Sequence, residues 1–101
     1  MATLVITYSC IDASRHYVAP VARGASVRTE TVTMPGNGTL SAKAPEEIVE
    51  LLADVDCWVA IGATPTVSAL PDGTRAARKL AAGMPYQFNV SAGEKVAVAA
   101  A

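Results

Sequence analysis

Histidine occurs once in this chain, at His16. A two-histidine metal site is therefore excluded, and a base-assisted cysteine or serine nucleophile has one possible base. Cysteine is nearly as scarce. Cys10 and Cys57 are the only two, too few for a secreted disulfide scaffold, and nothing in their spacing demands a bridge. Free, buried thiols are the expected state. Five per cent of the residues are aromatic, and charged residues make up 17% against an ordinary share of about 25%. A surface this poor in charge suits a subunit packed against neighbours, although alanine also inflates the apolar count. The net charge of −1 leaves no electrostatic footprint for nucleic acid or an anionic membrane. No apolar run approaches the roughly 20 residues that cross a bilayer, and the first residues lack the basic flank of a signal peptide. Pro35-Gly36-Asn37-Gly38-Thr39 lacks the lysine and following helix of a phosphate loop.

What is present is β-branched and punctuated by turns. The 101 residues suit one domain. Leu4-Val5-Ile6-Thr7-Tyr8 reads as a strand with Leu4, Ile6 and Tyr8 on one face. From Ser9 to Gly24 the pattern dissolves, which fits an extended arm or an ordered loop. Ser26 to Met34 is rich in valine and threonine and places Arg28, Glu30, Val32 and Met34 together, as in a strand exposed at one end and buried at the other. Pro35-Gly36-Asn37-Gly38 supplies a turn, and Leu40 to Ala44 is a candidate short strand pairing back.

Pro45 to Ala53 is ambiguous. Pro45, Glu46 and Glu47 form a good helix start, and Ile48, Leu51, Leu52 and Val55 fall at helical spacing. The alternative is a strand burying Val49, Leu51 and Ala53 with Glu50 exposed, followed by Ala53-Asp54-Val55-Asp56 as a hairpin turn. Local propensity favours the helix, and the strand-like neighbours favour the other.

Val55 to Ile61 is a strand with Val55, Cys57, Val59 and Ile61 on one face and Asp56, Trp58 and Ala60 on the other. Gly62 to Thr66 and Leu70-Pro71-Asp72-Gly73-Thr74 are turns. Arg75 to Ala82 begins like a helix that Gly83 and Pro85 cut short. Gln87 to Val90 alternates with Phe88 and Val90 inward, Ser91 to Glu94 has hairpin length, and Lys95 to Ala99 closes the chain with Val96 and Val98 inward. The total is about seven or eight short strands with turn signals every eight to twelve residues, the pattern of a small antiparallel sandwich or barrel.

Chemistry-bearing clusters are few. Cys10 and His16 are close only in sequence, and a loop histidine is the better reading. Glu46, Glu47 and Glu50 read as a solvated acidic face, and Asp54 and Asp56 as turn formers bonding their own backbone. Arg75, Arg78 and Lys79 form the basic cluster, a solvated face or the counterpart of an acidic patch. Trp58 points away from the face of Cys57 and Val59, onto a second layer or a partner. No catalytic, metal or cofactor-binding residue is singled out. The candidate partner-contact residues are Trp58, Tyr8, Tyr17, Arg75 and Arg78.

Three segments carry a resemblance: Asp56-Cys57-Trp58-Val59-Ala60-Ile61-Gly62-Ala63-Thr64-Pro65-Thr66-Val67-Ser68, Leu80-Ala81-Ala82-Gly83-Met84-Pro85, and Phe88-Asn89-Val90-Ser91-Ala92-Gly93-Glu94-Lys95-Val96-Ala97-Val98. Together, over about residues 47–99, they resemble small virion structural proteins of tailed bacteriophages. The resemblance implies an all-β sandwich or jelly-roll over 26–101 and an extended segment at 45–53. It also implies a non-enzymatic role in capsid decoration (a cement protein) or as a head–tail or tail accessory. The expected partners are further copies of the chain and a major capsid, portal or tail protein, within a virion assembled in the bacterial cytoplasm. Residues 1–25 are then the N-terminal strand and arm, able to add to a neighbour's sheet edge. The rival expectation is a free-standing sandwich that binds carbohydrate or another small ligand through Trp58, Tyr8, Tyr17 and Tyr86.

Overall fold

A computed structural model describes residues 2–12, 21–22, 27–43 and 47–101. Among them the chain is all-β and forms two antiparallel sheets packed as a small sandwich, as the turn spacing predicts. No helix among the described residues is long and apolar enough to cross a membrane. The strands are β1 (Thr3–Asp12), β2 (Val21–Ala22), β3 (Arg28–Thr33), β4 (Gly36–Asn37), β5 (Glu47–Ala53), β6 (Cys57–Gly62), β7 (Arg78–Leu80), β8 (Tyr86–Asn89) and β9 (Lys95–Ala100). The first sheet has the order β2-β1-β5-β8, with β3 also paired to β1. The second has the order β4-β9-β6-β7.

The register explains the core. Leu4 lies opposite Ala53, Ile6 opposite Leu51 and Tyr8 opposite Val49, so the period of two sends all six side chains to the same inner face. Cys57, Val59, Val96 and Val98 meet them from the second sheet, and Leu80 and Val90 close the cluster. The inward positions read from β1, β6 and β9 are the ones found.

The ambiguous segment is a strand. β5 lies between β1 and β8, bonded on both sides, and buries Val49, Leu51 and Ala53. Sheet pairing outweighs the helical propensity of Glu-Leu-Leu, which is worth only tenths of a kcal/mol per residue. Ala53 to Asp56 is not a hairpin, because β5 and β6 belong to different sheets. It is an arch carrying the chain across the core, and Ser91 to Glu94 does the same between β8 and β9. Arg75 to Ala82 contains strand β7 and no helix. Leu40 to Lys43 forms no strand, although Ala42 exchanges backbone hydrogen bonds with Gly93 and Glu94.

Of the N-terminal strand and arm expected over residues 1–25, the structure describes residues 2–12 and 21–22, and the strand is there. β1 sits between β3 and β5 in the first sheet, and β2 folds back on Ile11 and Asp12. Thr3 to Asp12 is therefore central to the fold and not free to leave it. Residues 13–20 and 23–26, with His16 and Tyr17, lie outside the described residues.

Candidate interaction surface

The two sheets meet at two edges, and the side chains there differ in kind. On one edge the chain passes from β3 into β4 through a cis Met34–Pro35 peptide. Val32 and Met34 are buried, while Arg28 and Glu30 share their inward face, so the mixed face read from the sequence is real. Each charge has a protein partner. The Glu30 carboxylate accepts hydrogen bonds from the backbone N–H of Thr39 at 2.8 Å and of Leu40 at 3.2 Å, and from the Thr39 hydroxyl. Gly38 lies directly beneath: a Cβ there would stand 2.6 Å from Glu30 Oε1 and 3.2 Å from Ile6 Cδ1.

Deeper along the same edge, Arg28 Nη2 donates to both oxygens of Glu47 at 2.7 Å. Its Nη1 donates to the Ser41 carbonyl at 2.9 Å, and the Lys43 N–H donates to Glu47 at 2.6 Å. The guanidinium lies 5.0 Å from the centre of the Tyr8 ring, and the Tyr8 hydroxyl donates to the Leu40 carbonyl at 3.4 Å. Glu47 keeps only 4% of its side chain exposed. This corrects the reading of Glu47 as part of a solvated acidic face: an inward strand position forces burial, and Arg28 makes burial tolerable. Tyr8, expected at a partner surface, is in the core at 1% exposure. Burial and the carboxylates of Glu30, Glu47 and Glu94 push its phenol above the ordinary 10.0, against the opposing pull of Arg28.

At the opposite edge β7 and β8 are the outer strands, joined through residues 81–85. β7 covers only Cys57, Trp58 and Val59 of β6, whereas β9 covers β6 from Cys57 to Gly62. Where β7 stops, a cleft of about 400 Å³ opens among Val59, Ala60, Ile61, Ala76, Ala77, Arg78 and Phe88. The Arg78 guanidinium lies 5.4 Å from the Phe88 ring centre at this cleft. On the outer face of the second sheet, Arg75 is folded over Trp58 at 4.6 Å, held by a 2.8 Å bond to the Val67 carbonyl. The second layer over Trp58 is thus an arginine from the loop between β6 and β7. Lys79 pairs opposite Trp58.

The structure therefore gathers Trp58, Arg75 and Arg78 on one side of the molecule and separates Tyr8 from them. Among the described residues the one ion pair is Arg28–Glu47, so Arg75, Arg78 and Lys79 have no carboxylate. The loops beside them expose Leu70 and Met84, at 57% and 55%. Cys10 and Cys57 are free; burial, and then Asp56 and Asp54, push the Cys57 thiol up.

Sequence reasoning missed the two aspartates' work. Asp54 accepts from the Thr3 N–H at 2.8 Å and Asp56 from the Ala82 N–H at 2.9 Å. They pin distant backbone across the arch instead of bonding their own turn. The Leu70–Thr74 reversal is as read, with Gly73 at φ 88 and Asp72 bonded to the N–H and hydroxyl of Thr74. Among the described residues no group of three or more His, Cys, Asp or Glu is placed to hold a metal ion. Comparison with protein-family models, curated proteins and solved structures gave no match to this chain.

Proposed function

We propose that the protein is a non-enzymatic assembly subunit, a phage virion component of the capsid-decoration or head–tail accessory type, working through symmetric protein–protein contacts. The observation that carries this reading is the unguarded edge of β8, the outer strand of the first sheet. β8 has the sequence Tyr86-Gln87-Phe88-Asn89, with no charge and no proline within it, and soluble monomers commonly blunt such edges with charge, proline or cover. A subunit whose edge is covered in its assembly needs no such protection.

Two further features support it. The segments that resemble phage structural proteins build β6 to β9, the part of the sandwich that contains the open edge. The outer face of the first sheet presents Thr3, Val5, Thr7, Thr29, Thr31, Thr33 and Leu52 by register, with Glu50 as a single charge among them. A broad, nearly uncharged β face of this kind suits contact with copies or with a larger shell protein. The carbohydrate reading has no comparable support, since Tyr8 is interior and Trp58 lies under Arg75.

Native mass spectrometry of the isolated protein tests the proposal. The expected result is a closed homo-oligomer, or a defined complex once the major capsid, portal or tail protein is added. A stable monomer that binds glycans on an array and ignores those proteins would overturn it.

A further inference from the structure

We infer that the vacant position beside β7 is a docking site for an extended, acidic segment of a partner protein, which completes the second sheet along Ala60–Gly62 and places one apolar side chain in the cleft at Arg78. The inference rests on the assembly reading for the existence of a partner, and goes beyond it in naming the site and the chemistry.

Geometry supplies the first argument. β6 is six residues long and β9 spans all of it, but β7 accompanies only the first three. Beyond Arg78 the chain swings away through Ala77 and Ala76, and the space it leaves is the cleft. An added strand would take the place β7 abandons, and its main-chain bonds would supply affinity with little demand on sequence. Because side chains alternate along a strand, every second one would turn toward Val59, Ile61 and Phe88. A volume of about 400 Å³ holds one large apolar side chain with room for main chain.

Charge supplies the second. Between residues 57 and 93 the sole acidic residue is Asp72, and its carboxylate is bonded within its own turn to Thr74. Arg78 lines the vacancy itself, Lys79 and Arg75 lie beside it at Trp58, and none of the three forms an ion pair among the described residues. Complementary carboxylates on the incoming segment would steer it and fix its register. The same cations argue against β7 pairing with its own copy, and leave the uncharged edge of β8 for contacts between copies. A two-fold contact would set Arg78 and Lys79 against Arg78 and Lys79, and like charges directly opposite one another across a strand pair are unfavourable.

Trp58 is the chain's one tryptophan and lies opposite Lys79 under Arg75, so its emission reports on this edge. The experiment titrates the full chain with a short peptide alternating valine and aspartate, and with its valine–lysine counterpart. The expected result is a saturable change in Trp58 emission with the acidic peptide alone, weakened by added salt. Arg78→Glu and, separately, Lys79→Glu should each lower the affinity about tenfold, as loss of a charged contact does. Equal response to both peptides, or unchanged affinity in both variants, would overturn the inference. The two readings fail separately. A monomer in native mass spectrometry that still takes the acidic peptide removes the symmetric assembly and keeps this site. An oligomer indifferent to the acidic peptide does the reverse.

Discussion

At the β3–β4 edge the chain crosses between sheets in a corner where Arg28, Glu30 and Glu47 all meet partners. At the β7–β8 edge the equivalent crossing leaves a cleft and three cations with no carboxylate. The difference lies in side chains and in the length of β7. Glu30, Gly38, Arg28 and Glu47 weld one edge shut. The other is lined by Arg78 and Phe88 and paired over half its length. Open sheet edges are commonly blunted by charge, proline, short strands or cover, and the two edges here differ in how far that is done. The contrast places the side proposed for recognition opposite the side where the polar side chains are locked together.

Substitutions should separate the two sides by size of effect. Glu47→Ala strands the Arg28 guanidinium in a largely buried site, so it should destabilise the fold by about 3–5 kcal/mol, the range for breaking a buried pair. Urea unfolding checks this. Gly38→Ala comes next, at about 1–3 kcal/mol, because its Cβ meets a carboxylate already held by Thr39 and Leu40. In a Glu30→Ala background the same change should cost measurably less, and a double-mutant cycle reads that coupling. On the open side, Arg75→Ala removes an exposed cation–π contact worth about 0.5–1 kcal/mol. It should alter Trp58 emission while barely moving the urea midpoint.

The smallest effects are in pH, and they carry opposite signs on the two sides. Tyr8 has its folded value raised, so the unfolded chain ionises first. Its stabilising contribution is complete below the ordinary 10.0 and is lost as pH rises through the higher folded value. Tyr8→Phe should flatten that alkaline fall in the urea midpoint. Asp72 has its folded value lowered, first by the Thr74 hydroxyl and then by the Thr74 N–H. Its contribution is complete above the ordinary 3.8 and is lost as pH falls through the lower folded value. Thr74→Val should remove part of that acid limb, and only part, because the carboxylate is fully exposed and the backbone bond remains.

How much of this was legible in the sequence follows the range of the interactions. β1, β6 and β9 were readable because alternation along five or six residues is local, and their inward valines, leucines and isoleucines fell where the period put them. β5 was not, because Pro-Glu-Glu and Glu-Leu-Leu favour a helix until β1 and β8 bond the segment on both sides. Glu47 looked like surface because its partner, Arg28, lies 19 residues earlier on another strand. The arches at Ala53–Asp56 and Ser91–Glu94 carry ordinary turn chemistry, and nothing local says whether the next strand stays in the same sheet. Trp58, Arg75 and Arg78 were singled out separately by residue type. The meeting of Trp58 with Arg75 depends on the loop between β6 and β7 folding over the outer face, which no spacing announces, while Arg78 turns to Phe88 on the other face. The cleft is still less visible, since it arises from β7 ending three residues before β6 does.

The most direct test of the contrast is a chemical-shift map of the amides during titration with the valine–aspartate peptide. The account predicts that shifts concentrate on Trp58 to Gly62, Ala76 to Lys79 and Phe88, with Thr29 to Thr33 and Gly36 to Leu40 unmoved. Shifts centred on the β3–β4 edge, or spread evenly over both, would contradict it.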